Sequence, residues 1–221
     1  MPNLLALLAL IPLFGTSKNI GPLPISKPQP QVLASHAFSL NNRYDNRFVS
    51  DVFKDNILLN IAYMDGSAKS TSQVNWQNVE QPFEYHFKLS PKETFAFHDQ
   101  VLPKYAGRVT KTTNAHFNST EGFKSDGYLI GDGVCHLASL MYWTAKDAGL
   151  QAEAPTNHDF MKINEVPKED GVAIFSRPGE FNTSANQNLY ITNNQNFPVD
   201  FVFKYNGDQL QVTTFKESFT S

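Results

Sequence analysis

The chain has 221 residues, a net charge of −3, 41% apolar and 18% charged residues, and one cysteine. That is enough apolar material for one sizeable domain, so global disorder is excluded. Lys and Arg are scattered singly, which argues against a phosphate-tracking nucleic-acid binder. A single cysteine excludes both an intrachain disulfide and a cysteine-rich zinc site.

Residues 4 to 14 form an apolar run from Leu4 to Phe14. It is too short to span a bilayer but suits the core of a signal peptide or a membrane anchor, assigned to residues 1–15, although no basic residue precedes it. Pro22, Pro24, Pro28 and Pro30 then mark residues 16–31 as an extended linker. The folded domain is expected over 32–221, outside the cytoplasm, with the membrane touched only through the N-terminal segment.

Leu40 to Arg47 is a polar block carrying Arg43 and Arg47. After it, Val49, Val52, Phe53, Ile57, Ile61 and Met64 recur at three- and four-residue spacing, predicting a helix from about Arg47 to Met64 that Asp65-Gly66 stops. Phe83, Tyr85, Phe87 and Leu89 alternate with polar residues and predict a strand. Thr94 to Phe97 suggests another short piece. Residues 107–128 read as a long surface excursion, and Tyr128-Leu129-Ile130 as a strand entering Gly131-Asp132-Gly133.

A second helix is predicted from Cys135 to Ala148, with Leu137, Ala138, Met141, Ala145 and Ala148 facing the core and Gly149 ending it. Strand-like segments follow at Leu150–Ala154, Val172–Phe175 and Leu189–Thr192. Val199–Tyr205 and Gln209–Phe215 flank Asn206-Gly207, a pair suited to a type I′ hairpin. The fold class is α+β, with two main helices on a mostly antiparallel sheet.

Cys135 is the distinctive chemical feature. A strand, two glycines and a helix start would expose a thiol where backbone N–H groups and the helix dipole favour an anion. The N–H groups of Gly133, Val134 and Cys135 could also face a developing oxyanion. Papain-like and transglutaminase-like enzymes use such a cysteine with a histidine base and an orienting third group. His158 and Asp170 follow in the transglutaminase-like order. The competing reading makes Cys135 a packed small residue and His158, Asn157 and Asp170 turn residues. His136, next to Cys135, points elsewhere on the helix and is a poor base for that thiol. The six histidines lack paired ligand spacing, so no metal and no cofactor are expected.

The stretch Gly131-Asp132-Gly133-Val134-Cys135, with Leu140-Met141-Tyr142 and Ala148-Gly149-Leu150, resembles the VanW family. Asn157-His158, Asp170-Gly171-Val172-Ala173, Leu189 to Asn194, Phe197-Pro198-Val199 and Ser90 to Phe97 match its later and earlier segments in order, and the likeness spans about residues 36 to 215. Asp132 interrupts the family's glycine run, His136 replaces its usual Gln, and Lys92 its usual Gly. The resemblance implies an extracytoplasmic bacterial cell-envelope protein associated with peptidoglycan and with vancomycin-resistance clusters. Two functions follow as expectations. One is a cysteine-dependent amide hydrolase or acyltransferase acting on peptidoglycan or envelope peptides through Cys135, His158 and Asp170. The other is a non-catalytic module that binds peptidoglycan or a surface protein through exposed aromatics and Arg43, Arg47 and Asn157. A redox-sensing thiol is a weaker third.

Overall fold

The computed structural model describes residues 30–70 and 73–217. The expected signal segment and all but the end of the linker lie outside the described residues. The fold is mixed α+β, two four-stranded sheets and four α-helices among the described residues.

The first sheet contains β1 (Gln31–Ser39), β2 (Phe83–Leu89), β7 (Val199–Tyr205) and β8 (Gln209–Lys216), in the order β1-β8-β7-β2 and antiparallel throughout. Period-two alternation sends Phe87, Leu89, Phe201, Phe203, Leu210 and Val212 to the inner face. Phe87 stacks on Phe201 with ring centroids 4.8 Å apart. The β7–β8 turn differs from expectation. Among its residues only Gly207 has positive φ, whereas a type I′ turn needs two such residues. The Asn206 side chain accepts from the N–H groups of Asp208 and Gln209 instead, at 3.0 and 2.8 Å.

The second sheet contains β3 (Thr94–Ala96), β4 (Val109–Lys111), β5 (Gln151–Glu153) and β6 (Tyr190–Thr192), ordered β4-β3-β6-β5 with only β3–β4 parallel. Phe95 stacks on Phe87 of the first sheet at 5.2 Å, so one apolar core runs through both.

The helix α1 (Arg47–Asp65) begins where the Asn46 side chain accepts from the N–H groups of Phe48 and Val49. It ends at Gly66 in the left-handed conformation. From Asp55 to Met64 every residue is buried, making this an interior helix with an amphipathic start. A one-turn α2 (Trp76–Val79) follows. The helix α3 (Val134–Asp147) packs on β1 and β8, with His36 of β1 stacked on Trp143 at 3.5 Å and bonded to Asp147. The short α4 (Phe181–Asn186) completes the set.

Three segments depart from the sequence reading. Residues 107–128 are no surface excursion: Thr113, Ala115, Phe117, Glu121 and Phe123 are buried. Asn56 of α1 holds this segment, accepting from the Lys124 N–H and donating to the Lys124 and Asp132 carbonyls. Tyr128-Leu129-Ile130 is not a strand but an exposed loop, with Tyr128 93% exposed. Val172–Phe175 is extended but forms no ladder, joining its neighbours through the Asn157–Val172 bridge and a Phe175 N–H bond to the Gln187 carbonyl.

Candidate functional site

The N-terminal end of α3 is built by close approach. Gly133, at φ +99°, caps the helix, and a Cβ there would sit 2.6 Å from the Phe53 carbonyl oxygen. Only glycine fits both the backbone angle and the space. The expected glycine turn therefore exists, and α1 is its other wall.

Cys135 is partly exposed, as the sequence reading requires, but its thiol is engaged. Sγ accepts from the Ile174 N–H at 3.4 Å and lies 3.8 Å from the Ile174 carbonyl oxygen. Burial pushes the thiol up to about 11, against the small opposing help of the Ile174 backbone. Desolvation outweighs the helix dipole here. Of the anticipated oxyanion donors, the Val134 N–H is spent on the Gly131 carbonyl.

His158 is buried and does not reach that sulfur. Its Nδ1 donates to the Met161 carbonyl at 3.0 Å, which leaves Nε2 as the acceptor of a neutral ring. Burial holds its pKa below the usual histidine value. Asp170 does not orient it. The Asp170 carboxylate is ion-paired with Lys146, eleven residues after Cys135 and so about 16 Å along the helix at 1.5 Å per residue. Among the described residues no hydrogen bond links any two of Cys135, His158 and Asp170. The expected triad is not assembled, because each member's side chain is claimed by a nearer partner.

The ring that meets His158 is His136. Their centroids are 6.3 Å apart, and His136 packs edge-on against Phe53 at 4.9 Å. His136 is only 2% exposed, and its Nδ1 has no hydrogen-bond partner. Burial first, then the Arg43 guanidinium and the nearby His158, beside which a second positive charge is disfavoured, hold its pKa well below the ordinary value. Sequence reasoning rightly turned this side chain away from Cys135 but gave no sign of where it would land, because Phe53 and His158 are remote in sequence.

Arg43 and Arg47 do not act as one block. Arg47 is exposed and lies 3.6 Å from Asp51 in the next turn of α1. Arg43 is buried over the Phe38 ring, ion-paired with Glu165, and held by longer contacts to Asn164 and Asn42. Its Nε has no partner. Asn157 contributes a 3.4 Å bond to the Glu169 carbonyl, and its Oδ1 is buried and unpartnered.

Loops 42–46, 125–133 and 159–166 thus converge around the start of α3 and carry exposed apolar side chains: Tyr44, Tyr128, Leu129, Ile130, Phe160 and Met161. The Phe160 ring lies 3.9 Å from that of His158. A separate groove of about 850 Å³ runs over the outer face of the first sheet. Its charges are already paired, His86 with Asp200 and Glu84, Lys88 with Glu217. Among the described residues, no group of three or more His, Cys, Asp or Glu side chains is arranged to hold a metal ion, and no helix is long and apolar enough to cross a membrane.

Neither a curated protein nor a solved structure matches the chain. A family model described as VanW like protein matches residues 78–215. That range takes in Cys135, His158, Asp170 and every strand but β1, and it is more than half of the chain. The chain belongs to the VanW family.

Proposed function

We propose that this is an extracytoplasmic cell-envelope protein that acts as a binding module, with peptidoglycan or its peptides as partner. The family supports a vancomycin-resistance-associated envelope protein. One observation carries the preference for binding over catalysis. The only thiol is bonded into the backbone at Ile174 and pushed up to about 11, while both anticipated helpers are committed elsewhere. The binding surface is the rim around the start of α3, where Tyr128, Leu129, Ile130 and Phe160 present apolar area to water.

Co-sedimentation with purified peptidoglycan tests this. Wild type and Cys135→Ser should pellet with the polymer, and Tyr128→Ser/Leu129→Ser/Ile130→Ser should stay in solution. Wild type remaining in the supernatant sinks the reading.

A cysteine-dependent hydrolase or acyltransferase keeps one point in its favour, the partly exposed Cys135 at the positive end of α3. It requires Sγ to leave Ile174 and to come within reach of the His158 Nε2. Release of amine or of a cleaved peptide from peptidoglycan, lost in Cys135→Ser, would overturn the binding reading in its favour.

A further inference from the structure

Two polar atoms near the start of α3 are buried without a partner. They are the Nε of Arg43, in a residue 3% exposed, and the Nδ1 of His136, in a residue 2% exposed. Leaving a donor or acceptor unpaired in the interior costs about 1–3 kcal/mol, more for a charged group, so each such atom asks for an explanation. Tyr44, the residue after Arg43, packs on Phe53 at 6.0 Å, His136 lies against the same Phe53 ring at 4.9 Å, and His136 meets His158 ring to ring. The Met161 carbonyl fixes the His158 tautomer, so its Nε2 is an acceptor. One guanidinium edge and two neutral imidazoles therefore gather in one place.

The guanidinium is held loosely for a buried arginine. Its contacts to the Asn164 carbonyl and the Asn42 side chain are both 3.4 Å, and its one strong partner is Glu165. Glu165 has a left-handed backbone, φ +67°, where a non-glycine residue is strained. It sits in loop 159–166, which Asn164 ties to the Asn42 carbonyl at 3.1 Å. The same loop carries Phe160, whose ring covers His158 while staying 73% exposed. A residue with a strained backbone thus supplies the carboxylate that covers a buried arginine, and an aromatic cap lies beside it.

We propose that Arg43 and His136 form a carboxylate-recognition site beneath His158 and Phe160, with Glu165 occupying the arginine until the ligand binds. This rests on the binding-module reading and names the group its ligand presents. The Arg43 Nε and one Nη offer the paired donors a planar carboxylate accepts, and His136 supplies a third bond through Nδ1. A monoanion is favoured over phosphate. Both imidazoles are neutral, and Arg43 is the one positive charge of the three, already shared with Glu165.

The test follows the imidazole NMR signals of His136 and His158 in the whole chain at neutral pH. The probes are sodium acetate, N-acetylalanine as a peptide C-terminus, sodium phosphate, and sodium chloride as the ionic-strength control. Acetate and N-acetylalanine should shift both signals saturably; tighter binding of N-acetylalanine identifies a peptide terminus as the source, and equal binding a free small acid. Glu165→Gln removes the competing carboxylate and should tighten binding, by about tenfold if one charge-assisted bond is freed. Arg43→Lys keeps the charge but loses Nε and should abolish saturation. His136→Phe, which keeps the packing on Phe53, should do the same at His158 if the lysine variant fails to fold. A drift no different from that in chloride, stronger binding of phosphate, or no gain in Glu165→Gln overturns the site. Peptidoglycan sedimentation that survives with flat acetate titrations removes the site and leaves the module. Saturable acetate binding without sedimentation does the reverse.

Discussion

At the scale of single residues, local bonding decides what each group near α3 can do. A thiol at a helix start gains from the dipole only while it stays hydrated, and Cys135 has exchanged water for the Ile174 backbone. With its thiol pushed up to about 11, only about one molecule in a thousand to ten thousand carries the thiolate near pH 7. Alkylation by iodoacetamide should therefore be slow at neutral pH and rise close to tenfold per pH unit until about pH 10. His158→Ala should leave that rate unchanged, since His158 bonds to Met161 and not to the sulfur. A large drop in His158→Ala would mean that the imidazole activates the thiol in solution. The cysteine's position was legible in the sequence because glycines and an apolar stripe are local signals. Its partners were not, because Ile174, Lys146 and Met161 claim Cys135, Asp170 and His158 through contacts that only the folded chain creates.

At the scale of elements, α1 is the organiser, and glycine lets α3 approach it. Gly133→Ala would impose a strained left-handed alanine and drive its Cβ against the Phe53 carbonyl at 2.6 Å. The backbone there cannot retreat without shifting a buried helix, so a loss of about 3 kcal/mol or more is expected in urea unfolding. Asn56→Ala should cost about 2–4 kcal/mol by the same measurement, because it leaves the Lys124 N–H and two carbonyls without their partner. Either variant unfolding at the wild-type midpoint would show that the α1–α3 contact is not what holds this region. Elements with strong local period were readable: α1, α3, β2 and the β7–β8 pair fall within a residue or two of expectation. The stretch 107–128 was misread because Ala115, Phe117 and Phe123 are embedded in polar sequence, and burial by α1 overrides that polarity. Tyr128-Leu129-Ile130 was misread for the opposite reason, since β-favouring residues form a strand only when a neighbour offers a ladder.

At the scale of the whole molecule, the pH dependence of stability follows from where the histidines sit. Burial lowers His98 to about 4, and it lowers His136 and His158 as well. For these groups the unfolded chain binds protons that the folded chain refuses. Their contribution is thus intact above the unfolded value near 6.5 and is lost as pH falls toward the folded values. For His98 alone the difference amounts to roughly 3 kcal/mol by pH 4, at 1.36 kcal/mol per unit. Asp132 works in the opposite sense. Burial, with Asp126 nearby, raises it to about 6, so the folded chain binds the extra proton and stability from this group grows as pH falls from about 6 to 4. His86, raised by Asp200 and Glu84 at the surface, and His116, raised by exposed Asp99 and buried Glu121, also favour the folded chain in acid, and the exposed His86 pairs contribute little. The buried histidines outweigh the half-buried aspartate, so the thermal midpoint should fall between pH 7 and pH 5. His98→Gln should flatten that fall, and Asp132→Asn should steepen it while raising the midpoint at pH 7. A midpoint that rises on acidification would show that protons enter the folded chain at His98, His136 and His158, and that these rings are hydrated in solution.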